Sequence, residues 1–166
     1  MKINIIRAIL IILLLGTFFM IFGFSNQNAE KSGGLSKRVT EEVTKNIKPI
    51  QNLEKDQKEN VLHRIESVIR KIAHFSIYTI VGLLLMSLLS TYPLKENIKI
   101  ITSLGIGVLY AISDEVHQLF ISGRSGQITD VLLDSMGVLL GIFLVLLVIK
   151  IITSNLLNKK MNINSY

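Results

Sequence analysis

The chain has 166 residues, 49% of them hydrophobic and 18% charged, with a formal net charge of +6 and a mean hydropathy of +0.51. A soluble domain of this size buries only about 70% of its unfolded surface and could not hide four long apolar runs, so composition excludes an ordinary soluble protein in favour of a membrane one. With no cysteine, disulfides, thiolate nucleophiles and cysteine-ligated metal centres are excluded as well.

Residues 1–24 read as a first transmembrane anchor. Lys2 and Arg7 precede an uncharged run from Ala8 to Phe24, and Ser25-Asn26-Gln27-Asn28 offers no small-x-small cleavage site, so a retained span is expected rather than a signal peptide. Residues 25–70 form a polar loop rich in Lys and Glu, opened by Ser32-Gly33-Gly34 and divided by Pro49. Leu35, Val39, Val43 and Ile47 recur every fourth residue, and Val61, Leu62, Ile65, Val68 and Ile69 repeat the i, i+3, i+4 pattern. These predict two amphipathic helices that lie on the membrane surface or cap the spans.

Residues 71–152 hold three further spans, followed by a tail over 153–166. Ile72 to Leu94 is apolar apart from His74, a clear span. Ile98 to Ser113 gives 16 residues before Asp114, and Ser135 to Ile149 gives 15 uncharged ones. A crossing helix needs about 20, so the third and fourth spans reach full length only by admitting Asp114 and Asp134. The expected fold is an all-α membrane protein, a four-transmembrane-helix bundle with amphipathic helices in the first extracellular loop.

If the amino terminus is cytoplasmic, the inner segments carry Lys2, Arg7, Lys95, Lys99, Lys150, Lys159 and Lys160 against Glu96. The outer segments carry eleven basic and eleven acidic residues, so the whole +6 lies inside. Basic residues at inner span ends are the ordinary bilayer pattern and leave no surplus for nucleic acid.

In either orientation the start of span two, the end of span three and the start of span four share one membrane face, and the polar residues sit there. Arg70, His74 and Tyr78 are spaced by four with Lys71 adjoining; Tyr110, Asp114 and Gln118 form a second stripe flanked by Glu115 and His117. Asp130 and Asp134 begin a third stripe that continues as Gly137 and Gly141, and Arg124 lies in the intervening Gly123-Arg124-Ser125-Gly126 turn. Carboxylates inside spans cost free energy, so their presence points to a site or to an ion-pair scaffold. Gly137 and Gly141 predict close helix packing. Asp114-Glu115-Val116-His117-Gln118 is not His-Glu-x-x-His, which excludes that zinc motif. Asp114, Glu115, Asp130 and Asp134 still offer oxygens to a divalent cation, with His74 in support, and the metal ligands stay unassigned. No spacing rule links Ser122 or Ser125 to His74 or His117 as a nucleophile. There is no phosphate loop and no dinucleotide fingerprint.

Arg70-Lys71-Ile72-Ala73-His74-Phe75 with Tyr78, then Tyr110-Ala111, Asp114-Glu115-Val116-His117-Gln118, Gly123-Arg124, Asp130, Asp134 and Gly137, resembles the signature of VanZ-like membrane proteins over roughly Phe22 to Gly141. Ser122-Gly123-Arg124 stands where that family usually has Pro-Gly-Arg. The resemblance implies a small four-span bacterial protein; span alternation and the inner charge balance add the expectation of a plasma-membrane protein with both termini cytoplasmic. The family's founding member lowers susceptibility to the lipoglycopeptide teicoplanin without remodelling the peptidoglycan precursor.

Two functions are expected from these residues. In the first, an outer-face site binds a membrane lipid, a lipid-linked cell-wall component or a lipoglycopeptide. Arg70, Lys71 and Arg124 contact anionic oxygens there, while Tyr78, Asp114, Glu115, Gln118, Asp130 and Asp134 shape the site. In the alternative, the protein is an integral-membrane enzyme acting on a lipid head group. His74 and Asp114 then form an acid/base pair with Glu115 beside them, and no cofactor is required beyond an optional divalent cation.

Overall fold

The computed structural model describes residues 2–26, 29–121 and 126–163, with side chains at all of these except 29–33, 35, 51 and 157–163. Six helices follow in order: α1 Lys2–Ser25, α2 Ala29–Thr44, α3 Lys48–Gln51, α4 Lys55–Ser90, α5 Glu96–Gln118 and α6 Ile128–Ile163. No strand occurs among the described residues.

Three helices, α1, α4 and α6, are long and apolar enough to cross a membrane. At about 1.5 Å per residue, the 23 residues of α5 also measure roughly 35 Å, yet its Asp and Glu side chains set it apart by composition. It runs through Asp114 and Glu115 to Gln118, and α6 starts before Asp130, so both helices do take carboxylates inside.

The apolar run assigned to span two does not begin a new element. Residues 55–90 form one unbroken helix, so the second loop helix and the second span are a single rod that passes through Arg70 and Lys71 without a break. Nothing between Glu66 and His74 is Gly or Pro, and the helix has no reason to stop. It ends at Ser90, with Thr91 as its cap and Pro93 just beyond. Likewise α6 continues past residue 152 into the expected tail.

α4 is the central helix: α1, α2, α5 and α6 all pack on it. The core comprises Tyr78, Val81, Leu85 and Met86 of α4, Ala111 of α5, Val138 and Ile142 of α6, and Leu14 and Ile21 of α1. Small residues set its spacing. A Cβ on Gly137 would lie 2.6 Å from the Phe75 carbonyl oxygen, and one on Gly141 would lie 2.6 Å from the Leu83 nitrogen, so α6 rests against the α4 backbone. Val138, fully buried, sits in a notch between Gly82 of α4 and Gly107 of α5. Outside this core, Phe19, Ile101, Leu109, Leu132 and Phe143 are exposed. Such a belt of large apolar side chains suits hydrocarbon, not water.

α2 packs on α4, and Ser36 donates a 3.0 Å hydrogen bond to Glu66. Its buried residues are Thr40 and Thr44, whereas Val39, Val43 and Ile47 face outward. The small hydroxyl residues permit the closer approach, so the apolar stripe read from the sequence is not the face that meets the bundle.

At the end opposite Ser25, Arg7 ties α1 to the cap of α4. Its Nη2 donates to the Thr91 carbonyl at 2.6 Å, its Nε to Thr91 Oγ1 at 3.0 Å, and the guanidinium lies 3.9 Å from the Tyr92 ring centroid. Hydrogen bonds to a charged group contribute about 1.5–3 kcal/mol. Arg7→Ala is therefore expected to lower the thermal unfolding temperature in detergent, and Arg7→Lys, which cannot bridge both oxygens, to recover only part of it.

Candidate functional site

At the other end of the bundle, helix geometry brings three polar stripes together. On α4, Lys71, His74 and Tyr78 follow the i, i+3, i+7 spacing that places them on one face. Along this face toward the core, Lys71 and His74 are half-buried and Tyr78 is wholly buried. On α5, Asp114, Glu115 and Gln118 are all buried in the last turn, and on α6 Asp134 is 1% exposed one turn below Asp130.

Specific pairs join the stripes. Lys71 Nζ lies 2.7 Å from Asp130 Oδ1 at the rim. Deeper in, His74 Nδ1 lies 3.6 Å from Asp134 Oδ2. Gln118 Nε2 donates to Asp114 Oδ2 and to Ser25 Oγ, both at 3.2 Å, which fixes the Asp114 carboxylate and ties α1 to α5. One potential ligand atom from each of His74, Asp114 and Asp134 falls within 4.8 Å of the other two. Two oxygens in this region are buried with no hydrogen-bond partner: Asp134 Oδ1 and the Tyr78 hydroxyl. Buried polar groups are nearly always satisfied, so these two mark a place where a ligand or water would be bound.

The surrounding residues support the site. Tyr110 donates its hydroxyl to the Phe18 carbonyl at 2.6 Å and stacks on the Phe18 ring with centroids 4.0 Å apart. Phe22 stacks on His117 at 4.8 Å. Both contacts lock α1 against α5 beside the cluster. Glu115 is buried but turns toward α6, where its carboxylate accepts the Gln127 backbone N–H. Carboxylates at helix N-termini are stabilised by the unpaired amides and the dipole there.

The sequence-expected residues thus fall into three groups. Lys71, His74, Tyr78, Asp114, Gln118, Asp130 and Asp134 come together, with His74 facing Asp134 as its ion partner. Glu115 lies beside them but serves the start of α6. Arg70 is exposed, and no ion pair joins it to Asp114 among the described residues; Arg124 lies outside the described residues. Ser25, buried and bonded to Gln118, belongs to the assembly although its sequence signal is slight: it is the first polar residue after the α1 apolar run.

Chemically, the arrangement is one half-buried imidazole and two buried carboxylates, with a Lys–Asp pair beside them. It can hold a proton, a cation or the charged oxygens of a ligand. The family model described as VanZ/LLP1 matches residues 10–150. No curated protein and no solved structure gives a match.

Proposed function

The chain belongs to the VanZ/LLP1 family, and on that footing we propose that it is a bacterial cell-envelope protein whose polar end binds a lipid-linked cell-wall component or a lipoglycopeptide of the teicoplanin type. In this reading α5 is the third of four membrane spans, both termini are cytoplasmic, and the cluster around Asp134 lies at the outer edge of the plasma membrane. The observation that carries it is the pair of orphaned buried oxygens, Asp134 Oδ1 and the Tyr78 hydroxyl, beside the buried carboxylates at one end of the bundle. Lys71 at the rim supplies an ammonium for an anionic head group, and the exposed Arg70, the preceding residue of α4, adds a second cation.

The orientation is tested by cysteine labelling in intact cells. A cysteine at Lys55 is expected to react with an impermeant thiol reagent and one at Glu96 to stay unlabelled; the reverse pattern overturns the outer-face assignment. Teicoplanin susceptibility, measured with and without expression of the chain, tests the ligand class. A higher inhibitory concentration that Lys71→Gln and Asp134→Asn both erase supports the lipoglycopeptide form of the proposal, and an unchanged one removes it.

A second reading is favoured by the 3.6 Å approach of His74 Nδ1 to Asp134 Oδ2. A carboxylate that orients an imidazole is the usual arrangement for a general base, so an enzyme acting on a lipid head group would use His74 with Asp134 behind it. His74→Gln would then abolish turnover and leave head-group binding intact, whereas loss of both returns His74 to a binding role.

A further inference from the structure

We infer that His74, Asp114 and Asp134 together hold one divalent transition-metal cation, with zinc the best match. The inference rests on the reading of this end of the bundle as a binding site and gives it a chemical centre.

The three side chains come from three different helices, α4, α5 and α6, and one ligand atom from each falls within 4.8 Å of the other two. Tetrahedral zinc with bonds of about 2.0–2.1 Å places its donor atoms roughly 3.3 Å apart. The approach of His74 Nδ1 to Asp134 Oδ2, 3.6 Å, is already close to that, and separations within 4.8 Å close to it with side-chain movement of up to about 1.5 Å. Asp134 is 1% exposed and its Oδ1 has no hydrogen-bond partner. This bare oxygen is the second one of the carboxylate whose Oδ2 approaches His74, so Asp134 can offer either oxygen, or both, to a cation. The local charge points the same way. Two carboxylates lie by one imidazole, and among the described residues the ammonium of Lys71 is engaged by Asp130 at 2.7 Å.

The donor set selects the ion. Magnesium and calcium take all-oxygen cages, whereas an imidazole with two carboxylates suits zinc or manganese. Gln118 holds Asp114 from behind at 3.2 Å, as groups outside a coordination sphere commonly orient its ligands. Three protein ligands leave zinc a fourth position, where an anionic oxygen of a head group would coordinate.

The experiment uses the full chain in detergent, stripped with chelator and titrated by calorimetry with zinc and, separately, magnesium. One zinc per chain, bound at least about tenfold more tightly than magnesium, is expected, and no saturable zinc binding overturns the inference. Asp134→Asn should weaken binding at least about tenfold at unchanged helical content, whereas His63→Gln, which removes an exposed imidazole beside Glu66, should leave it unaltered. The opposite pattern assigns the ion to the surface and refutes the site. Should Asp134→Asn fail to fold, zinc-edge absorption of the wild-type protein decides: one imidazole nitrogen with carboxylate oxygens supports the set, and a spectrum without imidazole refutes it. Zinc binding with this signature and no retained head-group ligand keeps the cation site and removes the ligand reading. No saturable zinc binding by a protein that still retains a head-group ligand removes the cation site alone.

Discussion

Gly141→Leu is expected to abolish the folded bundle. Any side chain there would meet the Thr79 carbonyl and lie 2.6 Å from the Leu83 nitrogen, and both are backbone atoms that cannot swing aside. Overpacking a core costs about 1–3 kcal/mol even where flexible side chains can yield. Against a rigid backbone the two helices must separate, which also unseats Val138 from its notch between Gly82 and Gly107. Gly141→Ala should fold with a lowered unfolding temperature. Gly16→Leu, at a glycine with open space around it, should be neutral. Size-exclusion profiles and thermal unfolding in detergent would check all three, and a monodisperse Gly141→Leu protein would refute the packing account.

Asp134→Asn is expected to separate function from stability. A carboxylate 1% exposed, with one bare oxygen and a half-buried imidazole 3.6 Å away, is poorly compensated in a low-dielectric interior. The neutral amide keeps the shape and removes the charge. In chelator-treated protein the variant should therefore unfold at the same temperature as wild type or higher, with a gain on the order of 1–3 kcal/mol. Binding should fall to background. A structural ion-pair scaffold gives the opposite result, because deleting one partner of a buried pair costs about 3–5 kcal/mol. At the rim, Lys71 and Asp130 are 37% and 24% exposed, so disrupting them should change stability by no more than about 1 kcal/mol.

Much of this site is legible in the sequence, because two aspartates inside apolar runs are hard to explain otherwise. Helical spacing assigns Lys71, His74 and Tyr78 to one face and Asp114 and Gln118 to another, and alternation of spans sends these faces to the same end. Periodicity gives direction around a helix but not depth or neighbours. It cannot say that His74 comes within 3.6 Å of Asp134, because that depends on how α4 and α6 slide past each other. That register is set by Gly137 and Gly141 on the α4 backbone. Arg70 shares the stripe of His74 yet lies one turn further from the buried Tyr78 and is exposed. Glu115 was lost to the site for a different reason. Its partner is a backbone amide at Gln127, and loop contacts leave no periodic trace. The continuity of α4 was obscured by the change from polar to apolar composition near Lys71, although no helix breaker accompanies it.

The most direct test of the central claim, that the buried polar end is a ligand site, is native mass spectrometry of the chain extracted from its own membrane. The account predicts a wild-type protein that retains a lipid-linked or lipid ligand through mild activation, and Asp134→Asn and Lys71→Gln proteins of equal thermal stability that have lost it. Wild-type protein with no retained ligand, or equal retention by all three, would contradict it.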